Sequence, residues 1–322
     1  MSHLTREQRY TIASILQNGY NQKEIALVIK KDKSVVSREI RRNADARSGV
    51  YRDDLAHRKY LKRQEYKAKT RTFTPEVEEY VRDRLRLKHS PEQIAGVAKK
   101  NGDKCVSHER IYQFIWQDKR KKGTLYLDLR NRGRRYKKRS VIYDKRGIIP
   151  NRTDISQRPP EVELRERFGD LEIDLIIGKN HKGAILTIND RATGFGKLRK
   201  LDGKDAQQLA TATIDCLMEW KPFLKTITSD NGKEFAAHEL VAKHLNIDFF
   251  FAKPYASWQR GSNENFNRLV RQYIPKKVDF DCIPTDYINF VEYQLNNRPR
   301  KRFKYESPMF MFNQLFFIFL FF

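Results

Sequence analysis

The chain has 322 residues, enough for two or three domains, and 39% of them are hydrophobic, which supplies apolar material for folded cores. Its formal net charge of +25 and its pI near 9.9 favour a polyanionic partner, nucleic acid before membrane. No apolar signal core, no apolar stretch of the roughly 18 residues that a membrane span needs and no paired cysteine spacing is present. We therefore expect a cytoplasmic protein without a membrane partner, a disulfide framework or a Cys-Cys zinc site.

The positive charge is concentrated in the first half of the chain. Residues 1–150 contain 39 Lys and Arg against 18 Asp and Glu, whereas residues 151–322 contain 26 against 22. A surface that merely aids solubility is the alternative to a binding role. The asymmetry predicts that the first half holds the polyanion.

Three short helices are predicted within residues 1–48. Thr5 and Gln8 have the spacing of a capping box before the first helix, and Asn21 and Glu24 have it before the second. Short turns separate the helices, and the third follows a break at Lys31-Asp32. This arrangement predicts a helix-turn-helix domain.

The third helix is amphipathic and its polar side is basic. A helix of this kind fits the DNA major groove, where arginine and serine reach base edges or phosphates. A plain three-helix bundle with a charged outer face is the alternative. The predicted DNA contacts are Ser34, Ser37, Arg38, Arg41 and Arg42.

The helical pattern recurs over residues 73–118, where Thr74-Pro75, Ser90-Pro91 and Ser107 open three further helices. Residues 49–72, between the two patterns, are rich in lysine and arginine and are predicted to form a basic helical linker. Two DNA-reading units in tandem would read a longer site than one.

A second basic linker is predicted over residues 119–160. Seven of the ten residues from Arg130 to Arg139 are basic, and almost nothing in this segment is apolar. We expect it to lie along DNA phosphates, with a solvated interdomain linker as the alternative. The contacts expected there are Arg134, Arg135, Lys137 and Lys138.

Strand-length apolar runs appear after Phe168, so residues 161–314 are predicted to form an α/β domain. Three antiparallel strands precede an alternation of helix, strand, helix, strand and helix, which is the order of a ribonuclease-H-like, retroviral-integrase-like fold. The predicted strands are 171–177, 184–189, 196–201, 224–228 and 248–251, and the predicted helices are 205–220, 234–245 and 262–273. The whole chain is thus expected to be multidomain, with an all-α helix-turn-helix region before this domain.

Three acids are candidate catalytic and metal-binding residues in this layout. Asp174 falls in the first strand, Asp230 follows the fourth, and Glu264 lies in the first turn of a later helix. Carboxylate oxygens are natural ligands of Mg²⁺, and two such ions activate a nucleophile and stabilise a leaving oxygen in phosphoryl transfer. We expect two Mg²⁺ ions, for which Mn²⁺ substitutes, with Asp174 bridging them.

Basic and polar residues surround the predicted glutamate helix. Arg260, Asn263 and Arg271 are the ones expected to contact DNA phosphates. Trp258 is expected to pack within its loop rather than to stack on a base.

Several segments resemble the IS30 family of bacterial insertion-sequence transposases. They are LTREQRYTIASILQNGYNQKEIA near the N-terminus and, further along, SDNGKEFAAH, PYASWQRGSNENFNRLVRQYIPK and LNNRPRKR. The 33 residues between Asp230 and Glu264 fit the family's spacing of second and third acids. Asp174 lies where the family has its first acid, although Leu171 to Asp174 stands in place of the usual Trp-Glu-Gly-Asp, and Asp170 is the alternative.

The resemblance implies a transposase that binds the terminal inverted repeats of its element, cuts DNA and joins the exposed 3′ end to target DNA. It also implies a homo-oligomer on DNA and a nucleoid-associated location. A catalytically dead relic that acts as a DNA-binding repressor and a nuclease that cuts without joining are the alternatives. The hydrophobic tail, residues 315–322, is expected to be either a buried terminal element or the scar of a frameshift or truncation.

Overall fold

The structure is a computed structural model that describes residues 3–66, 73–132, 149–203, 205–254, 256–276 and 278–321. The chain forms two compact units, Met1–Arg71 and Thr72–Phe322, called here the N-terminal and C-terminal units. Each of them has its own hydrophobic core.

The N-terminal unit is all helical. Its first three helices are α1 (Arg6–Gln17), α2 (Gln22–Val28) and α3 (Lys33–Asn43), and both predicted capping boxes are formed. Ile12, Ile25 and Val36, one from each helix, are fully buried against one another. The predicted helix-turn-helix arrangement is therefore present.

A fourth helix, α4 (Asp53–Tyr66), covers most of the segment predicted to be a linker. Ala56 is fully buried in the same core as α1 to α3. Arg63 Nη2 donates to Asn43 Oδ1 at 2.5 Å, and Lys59 Nζ donates to the Ala44 carbonyl at 2.7 Å. These contacts hold α4 against the end of α3, so α4 is an integral helix of this unit.

The C-terminal unit begins with three helices, α5 (Pro75–Arg86), α6 (Pro91–Asn101) and α7 (His108–Arg120). Thr74, Ser90 and Ser107 cap them, as the sequence predicts, because each side chain accepts a hydrogen bond from the backbone of the first turn. Their apolar faces meet in one buried cluster.

A six-stranded sheet forms the centre of this unit, in the order β1-β6-β5-β2-β3-β4. Strands β2, β3 and β4 are antiparallel, whereas β5 runs parallel to β2, β6 to β5 and β1 to β6. This is the predicted ribonuclease-H-like topology, with β1 as an unpredicted edge strand of two residues. The bounds are β1 Thr153–Asp154, β2 Asp170–Ile177, β3 Ala184–Asp190, β4 Gly196–Leu201, β5 Thr226–Ser229 and β6 Asp248–Phe251.

Helices cover both faces of the sheet. After the short helix α8 (Glu161–Leu164), α9 (Ala206–Leu217) and α10 (His238–Leu245) pack on one face, and α11 (Gly261–Tyr273) and α12 (Thr285–Asn297) pack on the other. Because side chains alternate along a strand, β2 sends Leu171, Ile173 and Leu175 into the first core and presents Asp170, Glu172, Asp174 and Ile176 to the second face.

The last helix, α13 (Pro308–Phe321), contains the hydrophobic tail as far as Phe321. Its side chains Met309, Phe312 and Leu315 pack against the core under α9 and α10. The tail is thus helical, and both origins considered for it from the sequence stay predictions. Within the described residues, no helix is both long enough and apolar enough to cross a membrane.

Phe266, two residues after the candidate glutamate, has a packing role. Its ring lies over Gly196, where a Cβ atom would come within 2.2 Å of the ring carbon Cζ. The Asn296 side chain of α12 exchanges two hydrogen bonds with the Gly196 backbone, at 2.8 and 2.9 Å. These contacts fix α11 and α12 against the start of β4.

The segment between α12 and α13 docks on α6. Gln93 accepts a hydrogen bond from Arg298 Nε at 3.0 Å and donates one to the Pro299 carbonyl at 2.5 Å. The Tyr305 ring lies over Gly96, where a Cβ atom would come within 2.1 Å of Cζ. The helices α5 to α7 are thereby fastened to the sheet of the same unit.

Gly96→Ala should destabilise the protein by about 1–3 kcal/mol, because the added methyl group overlaps the Tyr305 ring. In an unobstructed helix the same change stabilises by roughly 0.5–1 kcal/mol. Denaturant unfolding of Gly96→Ala in the wild-type and Tyr305→Gly backgrounds checks this. Gly96→Ala should lower the free energy of unfolding in the wild-type background and raise it in the Tyr305→Gly background. Equal effects in the two backgrounds would refute the contact between Gly96 and Tyr305.

His89 should make stability fall at acidic pH. Burial, together with Arg298, Arg84 and Arg300, lowers its pKa to about 3, so the folded state holds the imidazole neutral. The unfolded chain binds a proton below about pH 6.5, and folding stability is lost as pH falls through that value. Between pH 7 and pH 4.5 the wild type should lose about 1–2 kcal/mol more than His89→Gln, measured by urea unfolding. Parallel pH profiles would contradict this assignment.

Candidate active site

The pairing of β2 with β5 places two of the candidate acids side by side. Glu172 is the register partner of Thr228 in this parallel pair, so two residues further along each strand Asp174 and Asp230 come opposite each other. Neighbouring strands lie about 4.8 Å apart. Two carboxylates from distant parts of the sequence therefore meet at one point of the sheet.

Arg260 lies between these two carboxylates. Its Nη1 is 3.4 Å from Asp174 Oδ2 and its Nη2 is 3.5 Å from Asp230 Oδ2. Nη1 also donates to the Ile173 carbonyl at 3.3 Å. One guanidinium thus bridges both aspartates, and we call Asp174 and Asp230 the acid pair.

Hydrogen bonds fix the orientation of each carboxylate in the acid pair. Asp174 accepts from the Leu175 N–H at 2.8 Å and from Asn267 Nδ2 at 3.0 Å. Asp230 accepts from the Gly232 N–H at 3.0 Å. These hydrogen bonds, and not side-chain rotamer preferences alone, hold the two carboxylates in position.

Burial raises the pKa of Asp174 to about 6, and the negative charge of Asp230 adds to the rise, although Arg260 opposes it. Two carboxylates this close repel each other when both are ionised. The acid pair therefore carries negative charge that a bound cation would relieve.

Glu264 stands apart from the acid pair in the structure. It lies in the first turn of α11, its side chain is 40% exposed, and it pairs with Arg268 Nη2 at 2.5 Å. Across the residues that the structure describes, no three acidic, histidine or cysteine side chains come together in a way that would hold a metal ion. The predicted trio is thus assembled only as a pair.

The position of Glu264 on α11 is nevertheless on the side that faces the acid pair. Asn267 follows it by three residues, a spacing that places two residues on one side of a helix, and Arg260 directly precedes the helix. Both neighbours contact the acid pair. The backbone of Glu264 is well placed, and it is the rotamer that points to Arg268.

Asp170, the alternative first acid, has a structural environment. It is 1% exposed, pairs with Arg167 Nε at 2.7 Å and accepts from the Thr226 hydroxyl at 2.8 Å. Its carboxylate is committed to these partners. The geometry therefore favours Asp174 as the acid paired with Asp230.

Asn263 lies in a buried polar network rather than on the surface. Its N–H donates to Glu172 Oε2 at 2.8 Å, and its Oδ1 lies 3.3 Å from the Thr187 hydroxyl. Glu172 in turn pairs with the buried guanidinium of Arg191. Asn263 has no exposed surface, so in this position it does not reach a DNA phosphate. Instead of the expected DNA contact, it anchors α11 to the sheet.

Arg271 was expected to contact a DNA phosphate, and Trp258 was expected to pack within its loop. Arg271 is half-buried, donates to the Ile177 carbonyl at 2.8 Å and lies over the Phe280 ring, while burial lowers its pKa. Trp258 is instead 75% exposed, two residues before Arg260. A large aromatic surface is thus open to solvent beside the acid pair.

Helix α3 presents most of its predicted DNA contacts to solvent. Arg38, Arg41, Arg42 and Ser34 are exposed, and Ser37 is half-buried. Arg38 donates to the Ser34 hydroxyl and carbonyl, both at 3.0 Å. The predicted contacts Arg134, Arg135, Lys137 and Lys138 lie outside the described residues.

Sequence reasoning did not single out Asn267, and it placed Arg260 on DNA rather than between the aspartates. The spacing of Glu264 and Asn267 along one side of α11 is the signal that finds Asn267.

Comparisons with known proteins give a family-model match and a likeness to a solved structure. A family model described as a helix-turn-helix domain matches residues 1–43. The catalytic core domain of BIV integrase aligns with 45% of this chain and 93% of its own length, at 19% identity and a TM-score of 0.37.

Two transposases match almost the whole chain. The transposase for insertion sequence element IS4351 of Bacteroides fragilis is 52% identical over 313 residues, which cover 97% of this chain and 96% of that protein. Transposase InsI for insertion sequence element IS30C of Escherichia coli is 30% identical over 321 residues, which cover 96% and 82% respectively. The chain belongs to the IS30 family of insertion-sequence transposases.

Proposed function

We propose that this chain binds the terminal inverted repeats of its own element through the N-terminal unit and cuts and joins DNA strands in the C-terminal unit. The observation that carries the proposal is the acid pair, in which two aspartates from neighbouring parallel strands share one positive charge. The transposases that match the chain supply the reaction class. Asp174, Asp230 and Glu264 are the proposed catalytic and metal-binding residues.

The acid pair fits a divalent cation. Its carboxylates already converge on the guanidinium of Arg260, so they are close enough to share one positive charge. Oxygen ligands suit Mg²⁺, with Mn²⁺ as a substitute. In its observed position Glu264 does not contribute to this cation site, because it pairs with Arg268. In the proposed site its carboxylate leaves Arg268 and binds the cation together with the acid pair.

Mg²⁺ bound there would neutralise charge on the phosphodiester and promote attack by an oxygen nucleophile. The residues of the chain hold this arrangement. Asn267 and the Leu175 N–H orient Asp174, and the Gly232 N–H orients Asp230. Arg260, once released from the carboxylates, has its guanidinium available for phosphate oxygens, which arginine binds with two parallel hydrogen bonds.

The proposed chemistry has two displacements at phosphorus. In the first, water attacks a phosphodiester at the element end, the P–O bond to the 3′ oxygen breaks, and that oxygen leaves as a 3′-hydroxyl. In the second, the 3′-hydroxyl attacks a target phosphodiester, loses its proton and displaces another 3′ oxygen. Neither step needs a covalent link to the protein, and coordinated cutting of two ends calls for a homo-oligomer on DNA.

Asp174→Asn and Asp230→Asn should each abolish metal-dependent cleavage and joining while leaving DNA binding within about twofold of wild type, because each removes a carboxylate that a divalent cation needs. A labelled duplex from the DNA that flanks the gene, incubated with Mg²⁺ or Mn²⁺, measures this. Asp248→Asn, which changes an exposed acid on β6, is the matched control and should stay active.

The outcomes separate the candidate functions. Tight binding with no products from any protein, the wild type included, would favour the DNA-binding repressor. Cleavage without joining would indicate a nuclease. Products from Asp230→Asn would remove the acid pair from the mechanism.

Arg41→Ala in α3 should weaken binding of end DNA by about tenfold and lower the slope of log affinity against log salt by about one, as expected for one lost phosphate contact. Arg58→Ala, an equally exposed arginine on α4, serves as the control. Fluorescence anisotropy over a salt series gives both quantities. Equal effects of the two substitutions would contradict a special role for α3.

A further inference from the structure

A cavity of about 440 Å³ lies beside the N-terminal end of α11, between that helix, α6 and the segment that joins α12 to α13. Five arginines from three parts of the sequence line it. We call it the arginine pocket and define it by Arg130, Arg165, Arg298, Arg300 and Arg302. The pocket adjoins the acid pair, since Gly261 and Ser262 on its wall directly follow Arg260.

These arginines bond to neutral groups rather than to carboxylates, although the charge of Glu264 acts on Arg130 and the charges of Asp190 and Glu172 act on Arg302. Arg298 donates to the amide oxygens of Gln93 and Gln272 at 3.0 and 2.8 Å, and Arg130 donates to that of Asn265 at 2.8 Å. Backbone carbonyls are the acceptors for Arg300 and Arg302. Among the described residues, no carboxylate forms an ion pair with any of the five.

The one acidic residue among those lining the pocket is also occupied. Glu92 pairs with Lys301 Nζ at 2.6 Å, and Lys301 lines the pocket too. The described lining therefore has a large surplus of positive charge.

Holding these cations together costs free energy. Arg298 is only 3% exposed, and its pKa is lowered to about 10, mainly by burial. Burial and the neighbouring Arg298, Arg302 and Arg130 lower the pKa of Arg300 to about 9. Like charges in a partly buried site destabilise one another unless an anion joins them.

Two further features of the wall suit an anion. The Ser262 hydroxyl is buried and has no hydrogen-bond partner in the structure, so it has a donor to offer. Ser262 also belongs to the first turn of α11, where the helix dipole attracts negative charge.

We propose that the arginine pocket binds a backbone phosphate of the DNA strand that continues past the acid pair. This inference rests on the proposed function for its choice of DNA. Guanidinium groups match phosphate oxygens in a bidentate manner, and a strand engaged at the acid pair brings neighbouring phosphates to the adjoining wall. The bound phosphate would fix the direction of the strand across the site.

Single methylphosphonate substitutions test the proposal, because each removes the charge of one DNA phosphate. The affinity of the full-length protein for a series of such duplexes, made from the DNA that flanks the gene, is measured with EDTA so that no cutting occurs. Arg165→Gln and Arg302→Gln are the variants, since both side chains are exposed and the hydrogen bond that Arg302 donates to the Ala192 carbonyl is long, at 3.4 Å. Arg199→Gln, an exposed arginine on β4 outside the pocket, is the control.

In the wild type and in Arg199→Gln, neutralising one or two adjacent phosphates near the cleaved end should weaken binding by about tenfold. In Arg165→Gln and Arg302→Gln the same neutralisation should have no further effect. Absence of this coupling at every position overturns the proposal. A second outcome also overturns it. If inorganic phosphate stabilises the wild type but not the variants, and no coupling is seen, the ligand is a free small anion.

This readout is independent of catalysis. Coupling without any cleavage would support the phosphate site and contradict the proposed strand transfer. Cleavage that requires Asp230, with no coupling, would contradict the phosphate site alone.

Discussion

The parallel pairing of β2 with β5 is the constraint on which the candidate site depends. It aligns Glu172 with Thr228 and so brings Asp174 opposite Asp230, although 55 residues lie between the two aspartates in the chain. Backbone hydrogen bonds of a central sheet hold this register, and a slip by one residue would turn either aspartate into the core under α9. The acid pair is thus a consequence of sheet topology rather than of local sequence.

The polar face of β2 also explains how α11 is positioned. Glu172 and its partner Arg191 are fully buried, and breaking such a pair is costly because one charge is left uncompensated. Glu172 in turn receives the N–H of Asn263, which sets the helix against the sheet. With α11 held there, Arg260 and Asn267 reach the acid pair and the arginine pocket forms beside the N-terminal end of the helix.

Much of the fold follows from local sequence signals. Capping boxes at Thr5 and Asn21 and apolar runs such as Gly196–Leu201 mark helices and strands, since hydrogen-bonding side chains and periodic burial act within a few residues. The two-residue strand β1 is too short for a periodic signal. Buried Asn263 and the Glu264–Arg268 pair depend on packing and rotamers that a single sequence does not encode locally. The catalytic roles of the three acids remain predictions.

The central claim is that the acid pair holds a divalent cation. A crystal structure of the full chain with end DNA and Mn²⁺, with the ion located by its anomalous scattering, tests it most directly. We expect Mn²⁺ bound by Asp174 and Asp230, with Arg260 moved away from both carboxylates and Glu264 turned from Arg268 toward the ion. Manganese bound elsewhere, with Arg260 still bridging the two aspartates, would contradict it.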